Sequence, residues 1–328
     1  MTVFSSVSAP LVALAPMSGV TDAPFRRLAR RFGAPAIVSE MFASSLLTFG
    51  GKSNRRSLDF SAEAPLTVQL VGGDPAMMAD AARIAEDAGA AAIDINMGCP
   101  AKKIAKSGGG AILMRDPEGA ERIVSAVRAA VALPVSVKMR LGWDAASINA
   151  PAFAARMAAA GAGMVTVHGR TREQLYSGAA DWRAIADVVA AAGVPVIANG
   201  DVADLDSARR ALSESGAAGV MVGRAACGRP WLAGHLARGL ATGEMRAEPG
   251  LLEREAILVE HFELMLGEYG REAGLRAARK HLAWAIHGID GAAAARERVF
   301  LADTVEETLA AIAELFRRAE SAARSLAA

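Results

Sequence analysis

The stretch Leu66–Asn96, "LTVQLVGGDPAMMADAARIAEDAGAAAIDIN", decides the fold class of this chain. It begins and ends with short apolar runs, 66–71 and 91–96, and the residues between them have the spacing of an amphipathic helix. Two strands that are apolar along nearly their whole length suit a parallel sheet covered by helices on both faces. Because parallel strands need a long crossover connection, the stretch predicts one βαβ unit of an α/β fold.

The same alternation continues along most of the chain. Its eight apolar runs lie at 11–15, 36–40, 66–71, 91–96, 135–140, 164–169, 194–200 and 219–224. Eight strand–helix units in about 230 residues fit a (β/α)₈ TIM barrel, for which about 250 residues are typical. A doubly wound sheet is the alternative, but it usually has a GxGxxG fingerprint after its first strand, and "APMSGVTDAPFR" (15–26) lacks one. We therefore predict the barrel.

The pattern changes after about residue 242. The stretch "ATGEMRAEPG" (241–250) has the glycines and proline of a linker, and only helical patterns follow from Leu251 onward. The first of them ends at Gly270. We predict a barrel domain over residues 1–242 and a small C-terminal helical-bundle domain over residues 243–328.

The composition excludes several classes of protein. The chain of 328 residues is 52% hydrophobic and 22% charged with a formal net charge of +1, so it is globular and has no overall attraction to nucleic acid or membranes. Cys99 and Cys227 form no metal-binding or disulfide pattern, which suits a reducing cytoplasm. We expect no signal peptide, no membrane span and no metal, and no obligate protein partner is evident.

Polar residues end or follow every predicted strand. One such residue is usually solvated or salt-bridged, but in a barrel the C-terminal strand ends carry the chemistry. The set therefore predicts a large polar-lined cup. Its members are Ser18, Glu40, Gln69, Asp94, Asn96, Lys138, Arg140, His168, Arg170, Asn199, Asp201 and Arg224.

The last two strand ends have the chemistry of a phosphate site. "ANGDV" (198–202) and "VGRAACGRPW" (222–231) contain an arginine and glycines whose N–H groups can approach an anion, although ordinary βα turns are the alternative. Lys138 adds a cation inside the barrel, which is unfavourable unless an anion meets it. A phosphorylated, electron-rich planar cofactor meets both needs, and flavin mononucleotide (FMN) fits.

With these residues placed, the sequence resembles the tRNA-dihydrouridine synthases, and is closest to their bacterial DusB-like branch. The matching motifs follow the family's order within residues 13–231. They are "APMSGVTDAPFR", "SEM", "VQLVG", "IDINMGCPAKKI", "SVKMRLGW", "VHGRT", "IANGDV" and "GVMVGRAACGRPW". The resemblance implies that the barrel domain binds FMN and reduces the C5–C6 double bond of specific uridines in tRNA, that NADPH reduces the FMN, and that the helical domain binds tRNA.

The resemblance also implies roles for single residues. Those expected to bind FMN are Pro16, Met17, Ser18, Gln69, Lys138, His168, Asn199, Gly200, Asp201, Gly223 and Arg224. Those expected to contact the RNA substrate are Asn96, at the target base, and Arg170, Lys102, Lys103, Arg279 and Lys280. Cys99 would give the proton to C5 after hydride reaches C6.

A cysteine suits this proton transfer. A free thiol with a pKa of about 8.5 still holds its proton at neutral pH, whereas an ordinary carboxylic acid has lost it. The alternative is that Cys99 is a small buried apolar residue, as most free cysteines are, and we assign that structural role to Cys227.

RNA contacts must be local, because residues 240–328 hold 11 Lys/Arg and 15 Asp/Glu, a net charge of 11 − 15 = −4. The basic clusters are Arg26, Arg27, Arg30 and Arg31; Lys52, Arg55 and Arg56; Lys102, Lys103 and Lys106; and the face with Arg276, Arg279, Lys280 and His287. Two other functions stay open: a flavin barrel acting on a free pyrimidine, of the dihydroorotate dehydrogenase kind, and an RNA-binding protein with a residual flavin site.

Overall fold

A computed structural model describes residues 9–49, 60 and 63–327, so the predicted cluster of Lys52, Arg55 and Arg56 lies outside the described residues. Eight parallel strands close into a barrel in chain order, with the last strand beside the first. They are β1 (Leu11–Leu14), β2 (Ala36–Ala43), β3 (Thr67–Val71), β4 (Ala92–Met97), β5 (Val135–Arg140), β6 (Met164–His168), β7 (Val196–Asn199) and β8 (Gly219–Val222). The predicted (β/α)₈ barrel is confirmed.

Helices cover the outside of the barrel. They are α1 (Ala23–Arg31), α2 (Ser44–Phe49), α3 (Pro75–Asp87), α4 (Lys102–Lys106), α5 (Pro117–Ala130), α6 (Ala150–Ala159), α7 (Arg183–Ala192), α8 (Leu205–Ser215) and α9 (Leu232–Thr242). Three of them begin alike: the side chains of Asp22, Asp74 and Asp116 accept a hydrogen bond from the backbone N–H three residues on, and a proline lies in the first turn. These caps end the βα loops at defined residues.

The barrel interior changes from apolar to polar along the strands. A small apolar cluster that includes Ala13, Ala36, Met164 and Ile197 fills one part of it. Polar side chains replace apolar ones further along the strands, where Asp94 is buried on β4. Since the strands are parallel, these polar positions meet at the C-terminal mouth of the barrel.

The C-terminal helices have a core of their own. They are α10 (Leu251–Tyr269), α11 (Arg271–Ala285), α12 (Ala292–Leu301) and α13 (Val305–Ala327). Phe262, Leu282, Val299 and Phe316 are buried together between them. Gly270, with a φ of 80°, separates α10 from α11. The predicted helical bundle is confirmed.

Two arginines of α1 contact the helical bundle. Arg27 Nη2 donates to Glu268 Oε2 at 3.3 Å, and Arg31 pairs with Glu260, both glutamates lying on α10. Arg26 is instead buried in an ion pair with Glu63. These arginines therefore join structural elements within the chain, and part of the negative charge of the bundle serves this contact.

Two further hydrogen bonds connect the bundle to the loop after β1. Tyr269 OH donates to Asp22 Oδ2 at 3.0 Å, and His281 Nε2 donates to the carbonyl oxygen of Gly19 at 3.1 Å. The loop also carries Pro16, Met17 and Ser18. Its position thus depends on α10 and α11 as well as on the barrel.

Two buried histidines make this contact sensitive to acid. The rings of His261 and His281 lie 4.9 Å apart, and His261 Nε2 and His281 Nδ1 are buried without a hydrogen-bond partner among the described residues. Burial lowers the pKa of His261 to about 3 and that of His281 to about 4. Because histidines of the unfolded chain take up protons below about pH 6.5, the unfolded state binds more protons as the pH falls.

We therefore expect the free energy of unfolding to fall by on the order of 3 kcal/mol between pH 6.5 and pH 4. Urea titrations at several pH values measure this loss. His261→Leu should flatten the pH dependence, whereas His287→Leu, which changes an exposed imidazole, should not. If the free energy of unfolding depends equally on pH in the wild type and in both variants, the buried histidine pair is not the source of the acid sensitivity.

Candidate active site

A cavity of about 900 Å³ opens at the C-terminal ends of the strands. This volume is typical of a cofactor or substrate site. The structure gathers most of the predicted site residues around it, from all eight strand ends except that of β2. Those that line the cavity are Pro16, Met17, Ser18, Gln69, Asn96, Cys99, Lys138, His168, Asn199, Gly200, Asp201, Gly223 and Arg224.

Positive charge concentrates around His168. Burial, together with the charges of Lys138, Arg140, Arg170 and Arg224, lowers the pKa of His168 to about 2, so the imidazole is neutral at physiological pH. Arg170 Nη1 lies 3.2 Å from His168 Nε2 and can only donate. His168 Nδ1 therefore carries the hydrogen, and the side chain offers a neutral donor within a cationic wall.

Lys138, on β5, is a second basic residue of this wall. Its Nζ donates to Asn199 Oδ1 at 2.8 Å, and Asn199 Nδ2 donates to the carbonyl oxygen of Met221 at 2.9 Å. Burial and the charge of Arg140 lower the pKa of Lys138 to about 8. An ammonium group held in this way favours an anion beside it.

Asp201 lines the cavity as predicted, and its carboxylate is bound by two arginines. Its Oδ2 accepts from Arg170 Nη2 at 2.6 Å and its Oδ1 from Arg224 Nη2 at 3.1 Å. Partial burial opposes its ionisation, but the hydrogen bonds from Arg170 and Ala180 and the charge of Arg224 lower its pKa. The negatively charged carboxylate of Asp201 would repel a phosphate, so this side chain is suited to orienting Arg224. Only the backbone of Asp201 is suited to binding an anion.

Arg170 lies elsewhere than predicted. Its side chain is 2% exposed, does not line the cavity, and donates to the carbonyl oxygens of Ser177 and Gly178 as well as to Asp201. Arg170 lies in the loop after β6, and these hydrogen bonds hold its side chain beside His168 and away from the cavity. Arg170 therefore positions the site and has no surface for a substrate.

Glycine is required between these groups at position 200. Gly200 has a φ of 113°, and a Cβ added to it would lie 2.7 Å from Ala180 Cβ and 2.8 Å from His168 Cδ2. Any side chain here would displace His168 and Ala180, which lies in the loop after β6. The backbone beside Arg224 is thus closely fitted to its neighbours.

A chain of buried hydrogen bonds runs across the barrel to the Cys99 loop. Ser136 Oγ donates to Asp94 Oδ1 at 2.6 Å, and Gln69 Nε2 donates to Asp94 Oδ2 at 2.7 Å. Asn96 Nδ2 then donates to Gln69 Oε1 at 2.8 Å, and the backbone N–H of Cys99 donates to Asn96 Oδ1 at 2.8 Å. The chain starts at Asp94, which the sequence placed among the polar residues of the cup without a role of its own, and it holds Asn96 and Gln69 in fixed orientations.

The backbone around Cys99 is fixed from other sides too. Ala111 N donates to the carbonyl oxygen of Cys99 at 3.0 Å, and Arg140 Nε donates to that of Gly98 at 2.8 Å. A Cβ added to Gly110 would lie 2.7 Å from the Cys99 carbonyl oxygen. The glycines at 108–110 therefore allow close packing and do not make the loop free to move. The half-buried Cys99 lines the cavity in a preset position.

Two aromatic residues complete the cavity, and the sequence did not single them out. Trp284 reaches it from α11, and Tyr176 reaches it from the loop after β6. The Tyr176 ring centroid lies 4.6 Å from Arg224 Cζ, a cation–π contact. The only feature of the sequence that could have drawn attention to them is that aromatic residues are rare, at 5% of the chain.

The remaining predicted RNA contacts divide into two groups. Lys102 and Lys103 are exposed at the start of α4, next to the cavity-lining Ala101, and Lys280 is exposed on α11. Arg279 instead donates to the carbonyl oxygen of Ala302 at 2.8 Å, and its Nε is buried. The prediction for Arg279 placed it on an RNA-facing side, but the structure places it against the end of α12.

Two general features of the described residues can be stated briefly. None of the helices given above is both long and apolar enough to cross a membrane. Within residues 9–49, 60 and 63–327, no three or more His, Cys, Asp or Glu side chains are grouped to hold a metal ion.

Comparison with known proteins gives a consistent result. The family profile described as "Dihydrouridine synthase (Dus)" matches residues 13–321. A "Probable tRNA-dihydrouridine synthase" of Rhodobacter capsulatus is 51% identical over 315 residues, covering 95% of this chain and 97% of that protein. The "tRNA-dihydrouridine synthase B" of Xanthomonas axonopodis pv. citri is 44% identical over 309 residues, covering 94% and 93%.

A solved structure of a 2-naphthoyl-CoA reductase complex is similar with a TM-score of 0.55 at 12% identity, over 70% of this chain and 50% of that one. At this identity the likeness supports the barrel fold alone. The profile match and the curated relatives extend over nearly the whole chain, through both the barrel and the helical bundle. This chain therefore belongs to the dihydrouridine synthase family.

Proposed function

We propose that the protein reduces the C5–C6 double bond of specific uridines in cytoplasmic tRNA to 5,6-dihydrouridine, with FMN as its cofactor and NADPH as the reductant. The observation that carries this proposal is a thiol, Cys99, fixed at the wall of a cationic barrel cavity. The names of the curated relatives support tRNA as the substrate.

The residues present fit FMN. Lys138, Arg140 and Arg224 contribute positive charge to the cavity wall, while the carboxylate of Asp201 is already engaged by arginines. An anionic cofactor balances this excess of positive charge. Arg224 and the backbone of Gly200 and Gly223 would hold its phosphate. Lys138 and Gln69 would bind the edge of its ring, His168 its ribityl side, and Pro16, Met17, Ser18 and Asn199 would complete its site.

The chemistry divides between cofactor and protein. Reduced FMN, when bound, supplies the hydride that reaches C6 of uracil. The Cys99 thiol gives its proton to C5, the S–H bond breaking as the C5–H bond forms, and the thiolate then regains a proton from solvent. Lys138 and Arg140 line the same cavity as Cys99, so the proton transfer takes place beside two basic side chains. Asn96 positions Cys99 through the backbone and offers its amide to the base.

The proposal predicts that the purified protein binds FMN and shows flavin absorbance. It also predicts that tRNA from cells lacking the protein loses dihydrouridine at one or more positions, and that the modification returns when the protein is supplied again. Mapping of dihydrouridine in both tRNA pools measures this. A colourless protein after incubation with FMN, or unchanged tRNA, would contradict the proposal.

Turnover with small substrates separates this function from that of a free-pyrimidine reductase. The FMN-loaded protein should oxidise NADPH in the presence of unmodified tRNA and much more slowly with free uridine or orotate, which also have a C5–C6 double bond to reduce. Equal turnover with the small substrates would assign the barrel to free pyrimidines instead.

A further inference from the structure

A second cavity, of about 500 Å³, lies beside the first, between the connection from β8 to α9 and the helical bundle. Its wall includes Arg224, Arg229, Arg254, Trp284 and His287. Arg224 and Trp284 belong to both cavities, so the two share a wall. No carboxylate lines the second cavity among the described residues.

Arg254 gives this cavity a positive charge that no ion pair within residues 9–49, 60 and 63–327 balances. Its Nη2 donates to the carbonyl oxygen of Ala285 at 2.8 Å and lies 3.4 Å from that of His287, and its Nε is buried without a partner among the described residues. Glu248 acts on Arg254 electrostatically but is itself bound by Arg229 and by Trp231 Nε1. A half-buried guanidinium of this kind favours an anion from outside the chain.

One wall of the second cavity is closely packed against the helical bundle. Gly228, with a φ of 75°, lies directly against the end of α11, and a Cβ added to it would lie 2.6 Å from Ala285 N. Trp284 lies at the same end of α11. A guanidinium beside an indole ring combines a phosphate donor with a surface on which a base can stack, which is how proteins bind single-stranded nucleic acid.

We propose that this second cavity binds a phosphodiester group of the RNA next to the target uridine, through Arg254 and His287, with Trp284 beside the neighbouring base. The inference rests on the proposed function and adds a second binding site to it. Successive nucleotides are covalently linked, so a phosphate next to the target base must lie close to the first cavity. A cationic cavity that shares a wall with the first meets this condition.

The test measures binding of an unmodified tRNA transcript to the FMN-loaded protein over a range of salt concentrations. Arg254→Gln should weaken binding about five- to tenfold and reduce the slope of log affinity against log salt by about 0.7–0.9, the loss of one phosphate contact. His287→Glu, at an exposed position, should weaken binding at least as much by charge repulsion. Arg122→Gln, at an exposed arginine on α5, is the matched control and should keep the wild-type slope.

His287→Glu also guards against a folding artefact, because Arg254 binds the end of α11 and its replacement can lower stability. Wild-type affinity and slope in both Arg254→Gln and His287→Glu would overturn the inference. If the variants instead bind tRNA as the wild type does but need more NADPH to reduce the flavin in the absence of RNA, the cavity belongs to the reductant. That result would also overturn the inference. Failure of the wild-type protein to bind tRNA would remove the proposed function and this inference together.

Discussion

Replacing Cys99 with alanine should lower the rate of dihydrouridine formation by about 10²–10⁴-fold, the usual contribution of a positioned general acid. The contacts that fix the loop use the backbone of residue 99, since its N–H donates to Asn96 and its carbonyl oxygen accepts from Ala111. Alanine keeps both contacts. We therefore expect unchanged FMN content and tRNA affinity, so that the loss reports the thiol alone. Single-turnover reduction of tRNA by the pre-reduced enzyme measures it.

The control uses the other cysteine of the chain. Cys227→Ala removes a half-buried thiol whose pKa burial raises, and it should lower the rate no more than a few-fold. Cys99→Ser should recover little activity, because a hydroxyl holds its proton far more tightly than a thiol does. If Cys99→Ala reduces tRNA at the wild-type rate, the proton comes from another group and the proposed role of Cys99 is wrong.

The sequence predicted the barrel because its strands are buried on both faces and therefore read as apolar runs. The ends of those runs were less certain. β2 extends to Ala43, so Glu40, expected at the end of the strand, lies within it and accepts a hydrogen bond from the backbone N–H of Gly19. Apolar periodicity indicates that a strand exists, whereas pairing with the neighbouring strands decides where it ends.

For the site, the sequence likewise predicted where the residues lie but not which contacts they make. Parallel strands bring their C-terminal ends together, so residues such as Lys138, His168 and Arg224 were expected at one mouth, and they lie there. The contacts between neighbouring strands were not predictable, because they depend on barrel register. Register places Asp94 beside Gln69. Arg170 lies in the loop after β6, where an ion pair with Asp201 holds it away from the cavity.

The sequence also did not predict which residues of the helical bundle reach the cavity. Helical periodicity separated a basic face of α11 from an apolar one, but Arg279 turned out to contact Ala302, and Trp284 to reach the barrel mouth. Which face of a helix meets which neighbour depends on how the bundle docks on the barrel. That docking uses contacts far apart in sequence, such as Tyr269 with Asp22.

Replacing Lys138 with methionine should weaken FMN binding by about 10- to 100-fold, the effect of losing a hydrogen-bonded charge partner inside a protein. The wild-type protein should also lose FMN affinity as the pH rises above 8, because the pKa of Lys138 in the free protein is about 8 and the neutral amine no longer attracts an anion. Titration of the apoprotein with FMN between pH 6.5 and 9.5 measures both effects. Lys138→Met should show weak binding at every pH, and Lys106→Met, at an exposed lysine, should follow the wild type.

The same substitution should act in the opposite direction on the stability of the apoprotein. A lysine of the unfolded chain has a pKa of about 10.4, so folding without an anion forces an ammonium into a site that disfavours it at any pH below about 8. Lys138→Met removes this penalty and should raise the free energy of unfolding of the apoprotein at pH 7 by on the order of 1–2 kcal/mol, although the bond to Asn199 is lost. If Lys138→Met raises the free energy of unfolding of the apoprotein and also weakens FMN binding, the role of Lys138 is to bind the anionic cofactor. A variant that loses both stability and FMN affinity would show instead that Lys138 supports the fold through Asn199, and the cationic attraction would then have to come from Arg224.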